Sequence, residues 1–577
     1  MPNVSRACLP LFVSVLCLLA GGAAACDLTG GRDARPSASG AAPASGRMDL
    51  LAGDWSHVPG GTAGSGGVRV HGLGRQIVLQ DGTGGQPHPP VNLRGPRLEV
   101  HGDFQVGATV HRPAGQTASL YLYGEVPIVY DEWRQNRRGL RVAVSERELG
   151  LTVWDGRSAA PVADRTAAVT SPATVTVTIE RHGGDLVLSA GDIRVTVPDP
   201  GVFDAGSVTF GADAVPGAPD WTLAALEATA RDGGSIAVRD TPVAEQVTPP
   251  SDSLRALTEA TARRLPIGAA MAAEPLAGDD GYRTLAATQF SMLTTENALK
   301  PQFVHPGPDT YDFTEGDLLA DFAAAHHMRV HAHTLVFGEA NPRWMQQVAP
   351  ADRERVMTGH VSTVAGHYRG RVAEWDVVNE PLSPDDDGPD GNPGLREHLW
   401  QEAMGETYID KAFTAARAAD PEAKLYLNEY GAEADGPRWD ALYALLVRLK
   451  ERGVPIDGVG FQSHIHEAGD HIDPAVLRSH IAALAGLGLS ARISEIDVYG
   501  ESPRVQATQF AGVLGACLSE PTCTSFSTWG ITDRYGSTAE HDSYPLEPGD
   551  ELPWDQQLRP KPAVTALRDT LRAAHQR

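Results

Sequence analysis

The sequence predicts two fold classes in one chain: a β-sandwich, followed by a barrel of eight parallel strands with helices between them. Three observations predict this. From about residue 49 to 232, short runs of alternating apolar and polar residues follow one another without a long helical pattern. After about residue 253, apolar runs alternate with helical patterns. Two of these runs end on a carboxylate: 375–380 (WDVVNE) ends on Glu380, and 492–497 (RISEID) ends on Asp497 and also carries Glu495.

Composition limits the class of protein and of partner. The 577 residues are enough for two or three domains, and 42% hydrophobic with 21% charged residues is ordinary for a soluble globular protein. A net charge of −25, from 48 basic and 73 acidic side chains, argues against nucleic acid or an anionic membrane surface as the partner. The charge fits a neutral substrate, and we expect a monomer.

The N-terminus predicts export. Arg6 precedes an apolar run at residues 7–20, which is too short to span a bilayer, and small residues 21–25 follow it. We therefore predict a signal peptide over residues 1–25 and an extracellular or cell-surface protein. Cys26 follows three alanines, a pattern that resembles a bacterial lipoprotein cleavage box and makes Cys26 a candidate for lipid attachment. The alternative is ordinary cleavage near Ala25.

Residues 26–48 are rich in Gly, Ala, Ser and Pro, a composition typical of a flexible tether. Cys8 and Cys17 would leave with the signal peptide. In an oxidising compartment, Cys517 and Cys523 are predicted to form a disulfide that closes a short loop, with two free thiols as the alternative. A metal site needs more ligands than this pair offers.

Residues 49–232 are predicted to form the sandwich. Strand-like runs occur at 104–110, 118–124, 173–181 and 221–229, and the segment 174–179 (TVTVTI) alternates almost strictly. Such alternation is typical of strands with one buried face, and two sheets of such strands bury their apolar faces against each other.

The segment 151–156 (LTVWDG) and the rhythm of the strands resemble concanavalin-like jelly-roll domains, many of which bind glycans. The resemblance implies a carbohydrate-binding domain. The aromatic residues of the region either stack on sugar rings or pack in the core and at its edges. They include Tyr121, Tyr123, Tyr130, Trp133 and Trp154.

Residues 233–252 have little hydrophobic content and include Thr248-Pro249-Pro250, so we predict an interdomain linker there. The barrel is predicted over residues 253–577, since eight strands in roughly 320 residues fit a (β/α)₈ barrel. The predicted strands are 266–271, 290–295, 329–336, 374–379, 424–428, 458–463, 491–496 and 525–531.

The chemistry is expected where these strands end. Active sites of (β/α)₈ barrels lie at the C-terminal ends of the strands, so Glu380 and Glu495 are expected to meet at one rim. Two facing carboxyl groups across a cleft are the machinery for cleaving a glycosidic bond.

Six motifs in order resemble glycoside hydrolase family 10, the retaining endo-β-1,4-xylanases, over about residues 253–575. They are TTENALK (294–300), HTLV (333–336), WDVVNE (375–380), FQSH (461–464), RISEID (492–497) and WGITD (529–533). The resemblance implies a secreted hydrolase that degrades xylan or a related plant polysaccharide with water and no cofactor or metal.

The resemblance also assigns roles. Glu380 matches the general acid/base and Glu495 the nucleophile. Asn379 matches a residue that binds the sugar 2-hydroxyl, while His464 and Asp497 match residues that support the nucleophile. Further matches line the sugar-binding cleft, namely Glu296, Asn297, Lys300, His333, Gln462 and Trp529.

The chain departs from the family pattern in the walls of the cleft. Pro301 replaces a tryptophan, Phe337 and Gly338 replace a Trp-His pair, and Ala340 replaces a glutamine. Ser537 stands near the place where the family has another tryptophan. The altered walls leave the polysaccharide open, as well as endo or exo action. Two alternatives follow: a glycan-binding protein with an inactive barrel, and a retaining glycanase that acts on another β-glycan.

Overall fold

The computed structural model describes residues 47–51, 61–64, 66–70, 93–124, 138–155, 161–204, 206–213, 219–239, 245–384, 393–465, 471–536 and 550–576. The predicted signal peptide 1–25, Cys26, nearly all of the tether 26–48, Tyr130, Trp133 and Ser537 lie outside the described residues.

The described part of residues 47–239 consists of β-strands in two antiparallel sheets. The strands are β1 (Arg47–Asp49), β2 (Gly61–Gly64), β3 (Gly67–Val70), β4 (Leu93–His101), β5 (Phe104–His111), β6 (Ala118–Tyr123), β7 (Arg138–Val144), β8 (Glu148–Asp155), β9 (Ala163–Ala168), β10 (Thr174–His182), β11 (Asp185–Ala190), β12 (Ile193–Pro198), β13 (Ser207–Asp213), β14 (Trp221–Ala230) and β15 (Ser235–Arg239).

One sheet has the order β12-β11-β10-β5-β14-β3-β2, with β1 also paired to β14, and the other has the order β15-β4-β13-β6-β7-β8-β9. Strand β5 shows why they pack. Its side chains alternate between buried and half-buried, and Phe104, Val106 and Val110 share one apolar core with Leu120 and Leu122 of β6. The predicted β-sandwich is confirmed.

Two details differ from the expected segments. Strand β15 falls within the predicted linker 233–252, because the run 235–239 (SIAVR) is long enough to pair with β4 along five residues. Tyr121 and Tyr123 alternate with the core residues of β6 and stack on each other at 5.7 Å. Both are almost wholly buried, which favours packing over stacking on a sugar.

The second fold is a closed parallel barrel. Eight strands of the described residues form it, in the cyclic order β16-β17-β18-β20-β21-β22-β24-β25, and β25 pairs with β16 to close the ring. The predicted (β/α)₈ barrel is therefore confirmed. The strands from here on are β16 (Ile267–Ala270), β17 (Met292–Thr294), β18 (Arg329–Ala332), β19 (Val336–Phe337), β20 (Glu374–Asn379), β21 (Lys424–Glu429), β22 (Gly458–Phe461), β23 (His464–Ile465), β24 (Ser490–Val498) and β25 (Cys523–Thr528).

Helices cover the outside of the barrel, so most residues of its strands are buried on both faces. They are α1 (Leu254–Glu259), α2 (Ala273–Gly278), α3 (Asp280–Gln289), α4 (Pro301–Val304), α5 (Thr314–Ala325), α6 (Arg343–Gln346), α7 (Arg353–His367), α8 (Leu399–Met404), α9 (Thr407–Ala419), α10 (Pro437–Glu451), α11 (Pro474–Gly486), α12 (Pro503–Ser519) and α13 (Pro562–His575), with a 3₁₀ turn at Pro350–Asp352.

Local sequence explains several helix starts. The side chains of Ser253, Asp279, Asp473 and Ser502 each accept a backbone N–H at the first turn of the helix that follows. At its C-terminal end, α12 is tied to β25 by a disulfide between the buried Cys517 and Cys523. Within the described ranges, every helix is too short or too polar to cross a bilayer.

Candidate active site

The two glutamates singled out by the motifs stand at the C-terminal rim of the barrel. Glu380 directly follows β20, and Glu495 lies within β24. Glu380 has a φ of +50°, and Glu296 and Ser463, which also follow barrel strands at this rim, have φ of +39° and +63°. Such backbone angles are sparsely populated for residues with a side chain and cluster at functional sites. The rim is thus the candidate active site.

Two hydrogen-bond donors and one more distant imidazole surround the carboxylate of Glu495. The His464 Nε2 lies 3.1 Å from Oε2, and the Asn428 amide donates to Oε1. The His333 Nδ1 lies 3.8 Å from Oε1. Burial alone would raise the pKa of the Glu495 carboxyl, but the hydrogen bond from His464 and the charges of both histidines outweigh it and lower that pKa. Glu495 is held as a carboxylate.

His464 is itself fixed by Asp497, whose Oδ1 lies 2.9 Å from His464 Nδ1. Burial opposes a charged imidazole, yet the charges and hydrogen bonds of Asp497 and Glu495 prevail and raise the pKa of His464 well above its usual value. An imidazolium donates from both ring nitrogens, so His464 connects the two carboxylates as a cation.

Glu380 has different neighbours. Its Oε1 accepts from Gln462 Nε2 at 3.1 Å and from Asn379 Nδ2 at 3.2 Å, and its Oε2 accepts from Arg396 at 3.1 Å. Burial is the largest influence and raises the pKa of the Glu380 carboxyl, and the negative charge of Glu495 adds to this effect. The outcome is a carboxyl group that keeps its proton to higher pH than usual.

A chain of side-chain amides connects the two glutamates. Asn428 donates through Nδ2 to Asn379 Oδ1 at 2.9 Å and also to Glu495, while Asn379 donates to Glu380. Ser494 orients Asn428 by donating to its Oδ1 at 2.7 Å. These contacts bring the two carboxyl groups to one cleft and fix their orientation.

Other predicted cleft residues lie around this centre. Lys300 Nζ lies 5.7 Å from the ring centre of Trp529, which also meets the ring of His333 at 5.3 Å. Burial lowers the pKa of Lys300, although Glu495, Glu296 and Glu380 counteract this effect through their charges. Asn297 donates to Glu296 at 3.2 Å. The structure thus brings all the predicted cleft residues to one region.

The motif interpretation missed a buried charge network beneath the site. Asp376 contacts His331 at 2.6 Å, His333 at 2.8 Å and the guanidinium of Arg492. Arg492 also pairs with Glu374 at 2.8 Å. Burial would raise the pKa of the Asp376 carboxyl, but Arg492 and the histidines lower it far below the usual range.

Two of these residues carried a sequence signal. Asp376 and Arg492 are charged residues within apolar strand runs, which requires a buried partner. Asn428, also missed, ends a predicted strand at the same rim. Arg396 had no such signal, because residues 393–398 show no helical or strand period.

The structure also shows the surroundings of the positions at which the chain departs from the family pattern. Phe337 and Ala340 are buried, and Pro301 starts α4. Gly338 lies where a side chain would not fit, since a Cβ there would stand 2.8 Å from His398 Cδ2 and 3.3 Å from Arg396 Cδ. The side chains after β20 therefore fill the space that a larger residue at 338 would need.

Two groups of side chains have metal-ligating types in proximity among the described residues. One is His333, Asp376 and Glu495, and the other is Asp103, His182 and Asp232 of the sandwich. In the first group the atoms are engaged by Arg492, His464 and Asn428. In the second, His182 Nδ1 lies 3.2 Å from Asp103 Oδ2 and 3.3 Å from Asp232 Oδ2.

Comparisons with known proteins agree on the barrel. The family model described as glycosyl hydrolase family 10 matches residues 253–570. Endo-1,4-beta-xylanase B of Thermotoga neapolitana is 33% identical over 299 residues, which are 50% of this chain and 83% of that protein. Exoglucanase XynX of Acetivibrio thermocellus is 32% identical over 329 residues, which are 53% of this chain but only 29% of that protein.

Solved structures show the same similarity. Native xylanase 10B from Thermotoga maritima superposes with a TM-score of 0.52 at 33% identity, covering 56% of this chain and 99% of that chain. Xylanase 10B from Thermotoga petrophila RKU-1, solved in complex with xylobiose, superposes with a TM-score of 0.51 at 32% identity, covering 57% of this chain and 99% of that chain.

Proposed function

The chain belongs to glycosyl hydrolase family 10, and on that premise we propose that it cleaves β-1,4-linked xylan by a retaining double displacement. Membership confirms the prediction of an O-glycosyl hydrolase. The proposal adds the substrate, the stereochemistry and the residues: Glu495 as nucleophile and Glu380 as general acid/base.

In the first step the carboxylate of Glu495 attacks the anomeric carbon while Glu380 gives its proton to the departing glycosidic oxygen. The attack requires that Glu495 is ionised, and the proton transfer requires that Glu380 is protonated. The low pKa of Glu495 and the raised pKa of Glu380 meet these two requirements in the same cleft. The observation that carries the proposal is the contrast between their partners: His464 and Asn428 bond to Glu495, whereas Gln462 and Asn379 bond to Glu380.

In the second step Glu380, now a carboxylate, takes a proton from a water molecule, and the resulting hydroxide attacks the anomeric carbon and releases Glu495. Two inversions retain the β configuration. Asn428 and Gln462 both donate to Asn379 Oδ1 and so orient its side chain. In the proposed mechanism the amide of Asn379 binds the sugar 2-hydroxyl. His464 withdraws charge from the Glu495 carboxylate and so favours its departure in this step.

The substrate is proposed from the relatives. The two Thermotoga 10B structures are named as xylanases, and one holds xylobiose. Trp529 offers an aromatic face to a sugar, and Lys300 offers donors to its hydroxyls. A related β-glycan is the second candidate, favoured by the altered positions Phe337, Gly338 and Ala340 and by the relative named as an exoglucanase.

The test is hydrolysis of aryl β-xylobioside, aryl β-cellobioside and aryl β-mannobioside by the full chain, followed by product analysis on the matching polysaccharides. We expect release from the xylobioside and, by ¹H NMR, a β product at early times. A panel without any release by the wild type would support the alternative, a glycan-binding protein with an inactive barrel. An α product at early times would contradict retention.

We also propose that the protein is exported and attached to the outer surface through a lipid on Cys26. The apolar run at residues 7–20 and the small residues before Cys26 support this. Expression in a bacterial host with a radiolabelled fatty acid tests it. Label on the wild type and none on Cys26→Ser is the expected result. An unlabelled wild type in the culture medium would favour cleavage near Ala25 instead.

The sandwich is proposed to be a concanavalin-like glycan-binding domain. Its two antiparallel sheets and the half-buried Trp154 on β8 support this proposal, while the buried Tyr121 and Tyr123 are not candidates for sugar stacking. Binding of the full chain to insoluble xylan should weaken in Trp154→Ala while hydrolysis of a soluble aryl glycoside stays unchanged. Equal binding of xylan by the wild type and by Trp154→Ala would show that Trp154 does not contribute to glycan binding.

A further inference from the structure

Arg396 contacts the proposed acid, and the mechanism above gives it no task. Its guanidinium donates to Glu380 Oε2 at 3.1 Å, and its side chain is only 7% exposed. Its Nε donates to the backbone oxygen of Leu382 at 3.3 Å. The side chain is therefore held in place by the segment that follows β20.

The same guanidinium has a second carboxylate partner. Glu339, two residues after β19, forms an ion pair with the other terminal nitrogen of Arg396. The Glu339 side chain is about one-third exposed, whereas that of Arg396 is almost wholly buried. Gly338 leaves room beside this side chain, because a Cβ at 338 would stand 3.3 Å from Arg396 Cδ, a tight contact.

A lone guanidinium in this position would oppose the proposed chemistry. A positive charge within hydrogen-bond distance stabilises the carboxylate form of Glu380 and drives its proton off. An acid catalyst must instead keep that proton at the working pH. A carboxylate on the far side of the guanidinium offsets the charge while leaving the hydrogen bond to Glu380 in place.

We propose that Glu339 and Arg396 act as a positioning pair, in which Arg396 orients the Glu380 carboxyl and Glu339 balances its charge, so that the pair sets the upper pH limit of activity. The inference deepens the proposed function and rests on Glu380 being the general acid.

Other charged groups face this pair and are part of the balance. Glu380 faces Glu495, Lys300, His464 and Glu429, and Arg396 faces Tyr430, Tyr408, Glu429 and Arg438. Glu429 is already paired with Arg438 at 3.1 Å, and burial raises its pKa to about 7. Glu339 is thus the better counter-charge for Arg396 near neutral pH.

The test is the pH dependence of kcat/KM on an aryl β-xylobioside. The direction in which the basic limb moves is expected to differ between the variants. In Glu339→Gln the uncompensated Arg396 lowers the pKa of Glu380, so the basic limb moves down by about one pH unit. In Arg396→Gln the remaining Glu339 raises that pKa, so the basic limb moves up. The double variant returns close to the wild type, since both charges are gone.

Glu354→Gln is the matched control, because Glu354 forms a comparable ion pair with Lys411 at 2.6 Å on the outer surface. Its limbs should equal those of the wild type. A basic limb of Glu339→Gln that stays within about 0.2 pH unit of the wild type, or moves up, would overturn the inference. If Arg396→Gln does not fold, Glu339→Gln decides alone, with Arg396→Lys expected to keep the limb near its wild-type position.

Direct titration separates this inference from the proposed function. The full chain is labelled with [¹³Cδ]glutamate, and its NMR spectra across pH are compared with those of Glu380→Gln to identify the Glu380 signal. The pKa of Glu380 should fall in Glu339→Gln by the same amount as the basic limb. Loss of all activity with this shift present would reject the proposed function alone, while activity with no shift would reject the pair alone.

Discussion

Strands β20 and β24 deliver the same chemical group to the same cleft, and the surroundings of the two groups differ in their effect. Around Glu495 stand two histidines and an amide donor, and the pKa of the carboxyl falls. Around Glu380, burial outweighs the hydrogen bond from Gln462 and, together with the charge of Glu495, raises the pKa of the carboxyl. The difference teaches that the role of each glutamate is set by its partners and not by its own position on a strand.

Both partner sets come from distant parts of the chain. Glu495 depends on His464 of β23 and Asn428 of β21, whereas Glu380 depends on Gln462 and on Arg396, which lies between β20 and α8. Changes at these partners should therefore affect one carboxyl group more than the other, and they provide ways to test the contrast.

The largest effect is expected from Glu495→Ala. Removal of the proposed nucleophile should lower kcat by about 10⁵-fold or more. Added azide should then restore turnover by attacking the opposite face of the sugar and should give an α-glycosyl azide from a β substrate. ¹H NMR of the product checks this, with Glu354→Ala as the control. A β-glycosyl azide would exchange the roles of the two glutamates.

Glu380→Gln should come next, with a loss of about 10² to 10⁴-fold that depends on the leaving group. The amide keeps the shape of the carboxyl but carries no acidic proton, so substrates with poor leaving groups should suffer most and binding should persist. Rates on a series of aryl β-xylobiosides and calorimetric binding of xylo-oligosaccharides measure both. Equal losses across the series would contradict an acid role.

His464→Ala should move the acid limb of kcat/KM. The variant lacks the hydrogen bond and positive charge that lower the pKa of Glu495, so that pKa rises and the acid limb shifts up by about one pH unit. Asp497→Asn should shift it in the same direction by less, since a weaker imidazolium remains. The pH profile checks both, and a shift confined to the basic limb would contradict the assignment.

The smallest effect on the difference between the Glu380 and Glu495 pKa values is expected from the double change Cys517→Ser and Cys523→Ser. The bridge closes a loop of only six residues' separation, so its loss should lower the free energy of unfolding by about 2 kcal/mol. Both pH limbs should stay in place, because neither cysteine contacts a site residue described above. Urea unfolding and the pH profile measure the two outcomes, and a moved limb would tie the bridge to the cleft.

Strand patterns were enough to predict the two fold classes. Alternation at 104–110 and the apolar run at 374–379 predicted β5 and β20 because each depends on local periodicity. The cleft residues Lys300 and Trp529 were predicted from motifs at strand ends, and the structure places both beside the two glutamates.

What the sequence did not predict depends on contacts between distant segments. Arg492 of β24 and Glu374 of β20 are 118 residues apart in the sequence. They meet only because both strands belong to the same closed barrel. Arg396 reaches Glu380 through an irregular segment whose path no local pattern specifies. Strand β15 was missed because a run of five residues is a weak signal beside a proline-rich stretch.

Gly338 has a consequence for how this cleft can change over generations. A side chain there would bring its Cβ within 2.8 Å of His398 Cδ2 and 3.3 Å of Arg396 Cδ, so the His398 ring would have to move and Arg396 would have to shift slightly. A single substitution at 338 is therefore expected to cost stability. Libraries that vary 338 and 398 together should therefore yield folded variants with a side chain at 338 more often than libraries that vary 338 alone.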